Sequence, residues 1–156
     1  KPRSRNQGLL TLPLIAHSYG FLGLIEAAFS MSLFFWVLFA GGWQWGVELA
    51  SNDTLYRSAT GIALSSILLM QIGNLFGRRS RTGSGLDRRA FSNPLIVIGI
   101  VFEAVFSWAI LYVPVVNTVL GTAPVDIQIY LVAWLGVPLI FGLDYLRKLV
   151  FRRFVY

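Results

Sequence analysis

Four stretches of this chain are almost free of charge and each is long enough to cross a lipid bilayer, which leaves little room for anything but a polytopic membrane fold. Residues 16–46 carry Glu26 as their only charge, residues 58–77 carry none, residues 90–125 carry only Glu103, and residues 127–143 again carry none. An α-helix rises about 1.5 Å per residue, so about 20 residues cross a hydrocarbon core of roughly 30 Å. Each run therefore accommodates one helix. The expected spans are residues 19–41, 55–76, 93–112 and 127–146, an all-α arrangement of four transmembrane helices in two hairpins that makes residues 1–156 a single transmembrane domain.

Composition agrees. With 56% hydrophobic and 13% charged residues, the chain has too little polar surface to cover a soluble core. Cysteine is absent, which removes disulfides and thiolate metal ligands, and the single histidine, His17, excludes a bis-imidazole haem site. The net charge of +6 sits in short blocks between apolar runs rather than in a stripe with interleaved aromatics, which points to anionic lipid and away from nucleic acid. The chain starts Lys1-Pro2-Arg3 without a signal peptide ahead of the first span, and reads as a fragment of a longer polypeptide.

The basic residues also give an orientation. Lys1, Arg3 and Arg5 precede the first span; Arg78, Arg79, Arg81, Arg88 and Arg89 lie between the second and third; Arg147, Lys148, Arg152 and Arg153 come after the last. Arg57 alone falls on the other side, with Glu48, Asp53 and Asp126. The positive-inside rule then makes both termini and the central loop cytoplasmic, in a multi-pass protein of the cell membrane. Trp43, Trp45, Tyr56, Tyr112 and Tyr145 fit the aromatic belts at the two interfaces. Asn52-Asp53 and residues 114–124 read as turns outside the bilayer, residues 77–86 as a flexible loop, and residues 8–16, interrupted by Pro13, as an interfacial lead-in. No internal repeat or inverted symmetry is evident.

Glu26, Gln71, Asn74 and Glu103 lie within spans, where a charged group at the helix centre costs roughly 3 kcal/mol or more and an unpaired polar one also costs. Such groups should face a neighbouring helix or a wet cavity. Gln71 and Asn74 are three apart on one face of the second span, and their side-chain carbonyls, with a carboxylate from the next helix, have the chemistry to replace part of a cation's hydration shell. Hydrogen bonding between helices explains the same amides without an ion. Glu103, flanked one turn away by Gly99 and Ser107, is harder to justify as structure alone, while Glu26, flanked by Gly23 and Ser30, suits either role. Asp144 precedes Arg147 and Lys148 at helical spacing and reads as a structural ion pair; His17 reads as interfacial. Gly73 and Gly77 form a G-x-x-x-G on a stripe with Ala59, Ala63 and Ser66, a face for close helix packing. No nucleophile with its base, phosphate-cradling loop or zinc spacing is present.

The phrase from Ala16 to Ala28, A-H-S-Y-G-F-L-G-L-I-E-A-A, then Gln71-Ile72-Gly73-Asn74 ahead of a basic loop and Phe91-Ser92-Asn93, and finally Leu139 to Lys148, resemble in order and spacing the seventh to tenth membrane helices of bacterial-like P-type cation-transporting ATPases. The resemblance covers nearly the whole chain through diffuse motifs. It implies that Gln71 matches a position bearing an ion-ligating carboxylate in calcium pumps and a Gln in sodium pumps, that Asn74 matches an Asp of sodium pumps, and that Glu103 matches a Glu of an additional sodium site. At Asn74 an amide replaces the carboxylate, which changes the charge available to an ion. The family's D-K-T-G-T phosphorylation motif is absent from this chain, so catalysis, with its ATP and magnesium, would belong to the remaining domains of the parent; this chain would serve as support bundle and outer wall of a site for a monovalent or divalent cation. A free-standing four-helix proton- or cation-coupled transporter and a non-catalytic membrane subunit are the alternatives.

Overall fold

The computed structural model describes residues 16–79 and 92–154, and every regular element among them is helical. A wide π-helical stretch, Ala16–Leu22, runs into α1 (Gly23–Ala40); α2 is Thr54–Arg78, α3 Pro94–Tyr112, α4 Pro114–Leu120, α5 Ile127–Ala133 and α6 Gly136–Phe154. Four stretches, Tyr19–Ala40, Thr54–Arg78, Pro94–Tyr112 and Ile127–Val150, are long and apolar enough to cross a membrane. They match the expected spans to within a few residues. Three starts are fixed by side-chain caps: Asp53 Oδ1 accepts from the Leu55 and Tyr56 N–H groups at 2.7 and 3.3 Å, Asn93 Oδ1 accepts from Leu95 N–H at 3.0 Å with Pro94 in the first turn, and Asp126 Oδ1 accepts from Gln128 N–H at 2.8 Å. The lead-in at residues 8–15 and the loop at residues 80–91 lie outside the described residues; Gly77 and Arg78 end α2 rather than opening that loop.

Consecutive spans run antiparallel, but the packing centre is α2, against which the other three spans lie. Its central window is 61% buried, against 17–28% in the others. The reason is its run of small residues. A β-carbon at Gly61 would come within 2.9 Å of Leu111 Cδ2; one at Gly73 would stand 2.5 Å from the Val137 carbonyl oxygen and 2.6 Å from Ile140 Cγ2; one at Gly77 would stand 2.8 Å from Asp144 Oδ2. The G-x-x-x-G therefore serves the last span, in the manner of small-residue membrane interfaces. Ser65 on α2 donates to the Ser107 carbonyl of α3 at 2.9 Å, and Ser107 Oγ lies 3.0 Å from Tyr130 Oη on α5, a buried polar junction of three spans.

The last span is broken, where its apolar length led us to expect one continuous helix. Pro138 lacks the N–H that would bond to the Trp134 carbonyl, and its ring crowds that carbonyl, so the helix tightens: Leu135 N–H turns to Val132 O at 2.9 Å and Val137 N–H to Trp134 O at 3.1 Å. The break brings the backbone of residue 137 onto Gly73, and it also seats Gly136, where a β-carbon would meet Met70 Cγ at 2.7 Å.

Residues 114–124, expected as turns, contain the two-turn helix α4, started by Pro114 and ended by Gly121 in the left-handed region, φ 66°. The extended segment between α4 and α5 is pinned to the start of α2. Ala123 N–H donates to Arg57 O at 3.2 Å, Ser58 Oγ to Pro124 O at 2.8 Å, and, from α4 itself, Asn117 O accepts from Arg57 Nη2 at 3.1 Å. Of the expected belt residues, Trp45 is 79% exposed, while Tyr112 turns inward and donates to Val125 O at 3.1 Å.

Candidate functional site

Glu26 on α1 and Gln71 and Asn74 on α2 meet where these helices cross. Gln71 and Asn74 are three residues apart and so project from one face. Gln71 Nε2 donates to Glu26 Oε1 at 2.9 Å, and Asn74 Nδ2 donates to the same oxygen; Asn74 Nδ2 also lies 3.4 Å from Gln71 Oε1. A half-buried carboxylate inside a span is thus stabilised by two amide donors, which together replace part of the hydration it loses.

On the other side of the amides lies a cavity of about 460 Å³ between α2 and α3. Gln71, Asn74 and Glu103 line it, together with Gly99, Ile100 and, towards the end of α2, Arg78. Glu103 reaches it from the middle of α3. Gly99, expected to mark a close-packing face, has no atom within 4 Å of a β-carbon position and instead leaves room beside Glu103; Ser107 is the member of that pair that packs tightly. Among the described residues, Asn74 Oδ1 and Glu103 Oε2 are buried side-chain oxygens without a hydrogen-bond partner. Orphaned acceptors of this kind inside a membrane are costly. The residues that carry them lie on different helices and both line the cavity, although each of these two oxygens is itself enclosed by protein rather than open to the void.

The structure therefore joins Gln71 and Asn74 to both carboxylates, by hydrogen bonds to Glu26 and through the shared cavity to Glu103. The link to Glu26 had no sequence signal beyond the presence of a charge in the first span. Arg78 is a lining residue that sequence reasoning assigned only to the loop, although it lies further along the α2 face at positions i+7 from Gln71 and i+4 from Asn74. Among the described residues no group of three or more His, Cys, Asp or Glu side chains is disposed to hold a metal ion, so the oxygens on offer are amide carbonyls and single carboxylates.

Asp144 forms the expected structural pairs. Its Oδ1 accepts from Arg147 at 2.9 Å, and its Oδ2 faces Lys148 Nζ at 2.7 Å. Lys148 also donates to the Gly77 carbonyl at the end of α2, and both Asp144 and Lys148 are buried. A cation at a helix C-terminus complements the partial charge of the terminal carbonyls. The Arg147 guanidinium sits 6.0 Å from the centre of the Phe21 ring, tying the start of the first span to the same cluster. His17 belongs to the π-helical stretch, and its side chain lies outside the described residues.

Comparison with known proteins bears on the whole chain. The family described as "Cation transporting ATPase, C-terminus" matches residues 1–150. Proteins named "Probable cation-transporting ATPase F", from Mycobacterium bovis and Mycobacterium tuberculosis, are 33% identical over 129 residues, which is 83% of this chain and 13% of theirs. The "Potassium-transporting ATPase alpha chain 1" of Xenopus laevis is 27% identical over 183 residues, 98% of this chain and 17% of that protein. The chain thus spans less than a fifth of the length of these curated relatives.

Proposed function

The chain belongs to the cation-transporting ATPase C-terminal family, and from that premise we propose that its four spans form the support bundle of such a pump and the outer wall of its ion site. The observation that carries this reading is the pair of buried, unpartnered oxygens, Asn74 Oδ1 and Glu103 Oε2, on residues lining one cavity between α2 and α3. Carbonyl and carboxylate oxygens are the ligands that hard cations take, and an ionisable group this deep in a span is more often functional than structural. Gln71 adds a further carbonyl. The ion would be the pump's substrate, held jointly with helices beyond this segment.

In this reading the chain performs no chemistry of its own. ATP, magnesium and the phosphorylated carboxylate are handled by other domains of the parent, and the bundle's task is to hold one side of the ion path rigid while those domains move. The twelve basic residues on one side favour an orientation with both termini and the loop at residues 80–91 in the cytoplasm of a cell whose plasma membrane houses the protein. Glu103→Gln and Gln71→Ala in the full-length chain provide the test. The concentration of Na⁺, K⁺ or Ca²⁺ that half-activates ATP hydrolysis should rise on either change, at normal expression; unaltered cation dependence in both variants would return these residues to the role of helix glue.

A further inference from the structure

Glu26 shares hydrogen bonds with the ion-site amides, yet it sits on α1 and is not among the residues lining the cavity between α2 and α3. We infer that Glu26 is a positioning residue: it holds the N–H ends of the Gln71 and Asn74 side chains towards α1, and so keeps their oxygens as the ends available to a cation entering the cavity. The inference rests on the reading of the cavity as a cation site.

An Asn or Gln side chain is nearly symmetric in shape but opposite in polarity at its two ends, carrying two donors on nitrogen and two lone pairs on oxygen. Packing alone cannot distinguish the two orientations. A hydrogen-bond partner can, and an ionised carboxylate is the partner that does so without ambiguity, because it accepts and never donates. Glu26 Oε1 receives Gln71 Nε2 at 2.9 Å and also receives Asn74 Nδ2, so both nitrogens are drawn towards α1. The oxygens are then the ends left without a carboxylate partner. Asn74 Oδ1 is buried with no partner among the described residues, on a side chain that lines the cavity, and Gln71 Oε1 keeps a lone pair beyond its 3.4 Å contact with Asn74 Nδ2. Bonds to a charged acceptor are roughly twice as strong as neutral ones, enough to hold an amide against the flip. With both amides flipped, N–H groups would face Glu103 and compete with a cation for its carboxylate.

A glutamine at position 26 would undo this, since its amide donates as well as accepts and permits either orientation. A shorter aspartate keeps the acceptor-only head group. The test uses the full-length protein in membrane vesicles, with the half-activating concentration of Na⁺, K⁺ or Ca²⁺ for ATP hydrolysis as readout and maximal rate as a separate parameter. Glu26→Gln should raise the half-activating concentration about 10- to 100-fold, the range seen when outer partners of ion ligands are removed, with the maximal rate largely kept. Glu26→Asp should recover part of that loss. In a background carrying both Gln71→Leu and Asn74→Leu, where the carbonyls to be aimed are gone, Glu26→Gln should add no more than about twofold, because residues acting through one another are not additive.

Multiplying effects in that background would overturn the inference, since they would mean that Glu26 acts independently of both amides. So would a Glu26→Gln protein that loses maximal rate or abundance while its cation dependence stays put. Should Glu26→Gln fail to reach the membrane, Glu26→Asp alone and combined with Gln71→Leu and Asn74→Leu carries the same comparison, and additivity there sinks the idea equally. If Glu103→Gln and Gln71→Ala shift the cation dependence while Glu26→Gln does not, positioning by Glu26 is wrong and the cation site stands; if none of them shifts it, the site itself is wrong.

Discussion

Replacing Gly73 by alanine and, separately, Gly99 by alanine should have opposite effects on stability, although both are glycines inside membrane helices. In a helix interior alanine is favoured over glycine by about 0.8–1.0 kcal/mol, so each change starts with the same gain. The surroundings decide the rest. At Gly99 the new methyl meets nothing within 4 Å, and the gain is kept. At Gly73 it would stand 2.5 Å from the Val137 carbonyl oxygen, about 0.9 Å inside ordinary contact at 3.4 Å, and 2.6 Å from Ile140 Cγ2. The first of these is backbone, held in the tight turn before Pro138, and cannot swing aside as a side-chain tip would. Overpacking of this kind costs about 1–3 kcal/mol, so the net effect at Gly73 is a loss of up to about 2 kcal/mol. At about 2–4 °C per kcal/mol for a unit of this size, the apparent melting temperature of the detergent-solubilised protein should fall by several degrees for Gly73→Ala and hold or rise for Gly99→Ala. Size-exclusion chromatography after a graded thermal challenge measures both. Equal melting temperatures for the two variants would refute the argument that α2 and α6 are in backbone contact at this point.

Asp144→Asn leaves Lys148 buried without its counter-charge, and breaking a buried pair costs about 3–5 kcal/mol, so the yield of folded protein should collapse; the double change Asp144→Leu with Lys148→Leu should recover much of it, as judged by monodisperse protein extracted from membranes. Cysteines substituted at Ser84 and Asn117 should report opposite sides in intact cells, with an impermeant reagent labelling Asn117→Cys and sparing Ser84→Cys; the reverse pattern would invert the proposed topology.

The four spans were legible because bilayer thickness and the cost of charge act on length and composition, which a sequence displays directly. The start of α3 was placed from apolar length, and the structure supplies its local reason, a side-chain cap by Asn93 next to the Pro94 ring that needs no N–H donor. The pairing of Gln71 with Asn74 was legible from helical spacing. Their bond to Glu26 was not, since it depends on where α1 crosses α2, a tertiary relation that helical spacing within either span does not display. Gly99 misled for a related reason: a small residue is equally suited to close approach and to leaving a space. The break at Trp134 and Leu135 carried a signal, Gly136 and Pro138 within a span, but continuous apolar character outweighs it in any reading based on length.

The central position of α2 has a consequence for biogenesis. Ribosomes deliver these spans in order, and the second enters the bilayer with Ser65, Ser66, Gln71 and Asn74 on its surface before α3 and the last span exist to cover them. Its predecessor is already there, presenting Glu26, itself uncomfortable in lipid and able to accept from both amides. The two helices are thus better suited to leaving the translocon as a pair than singly, with their hydrogen bonds available before α3 arrives to complete the wall of the cavity.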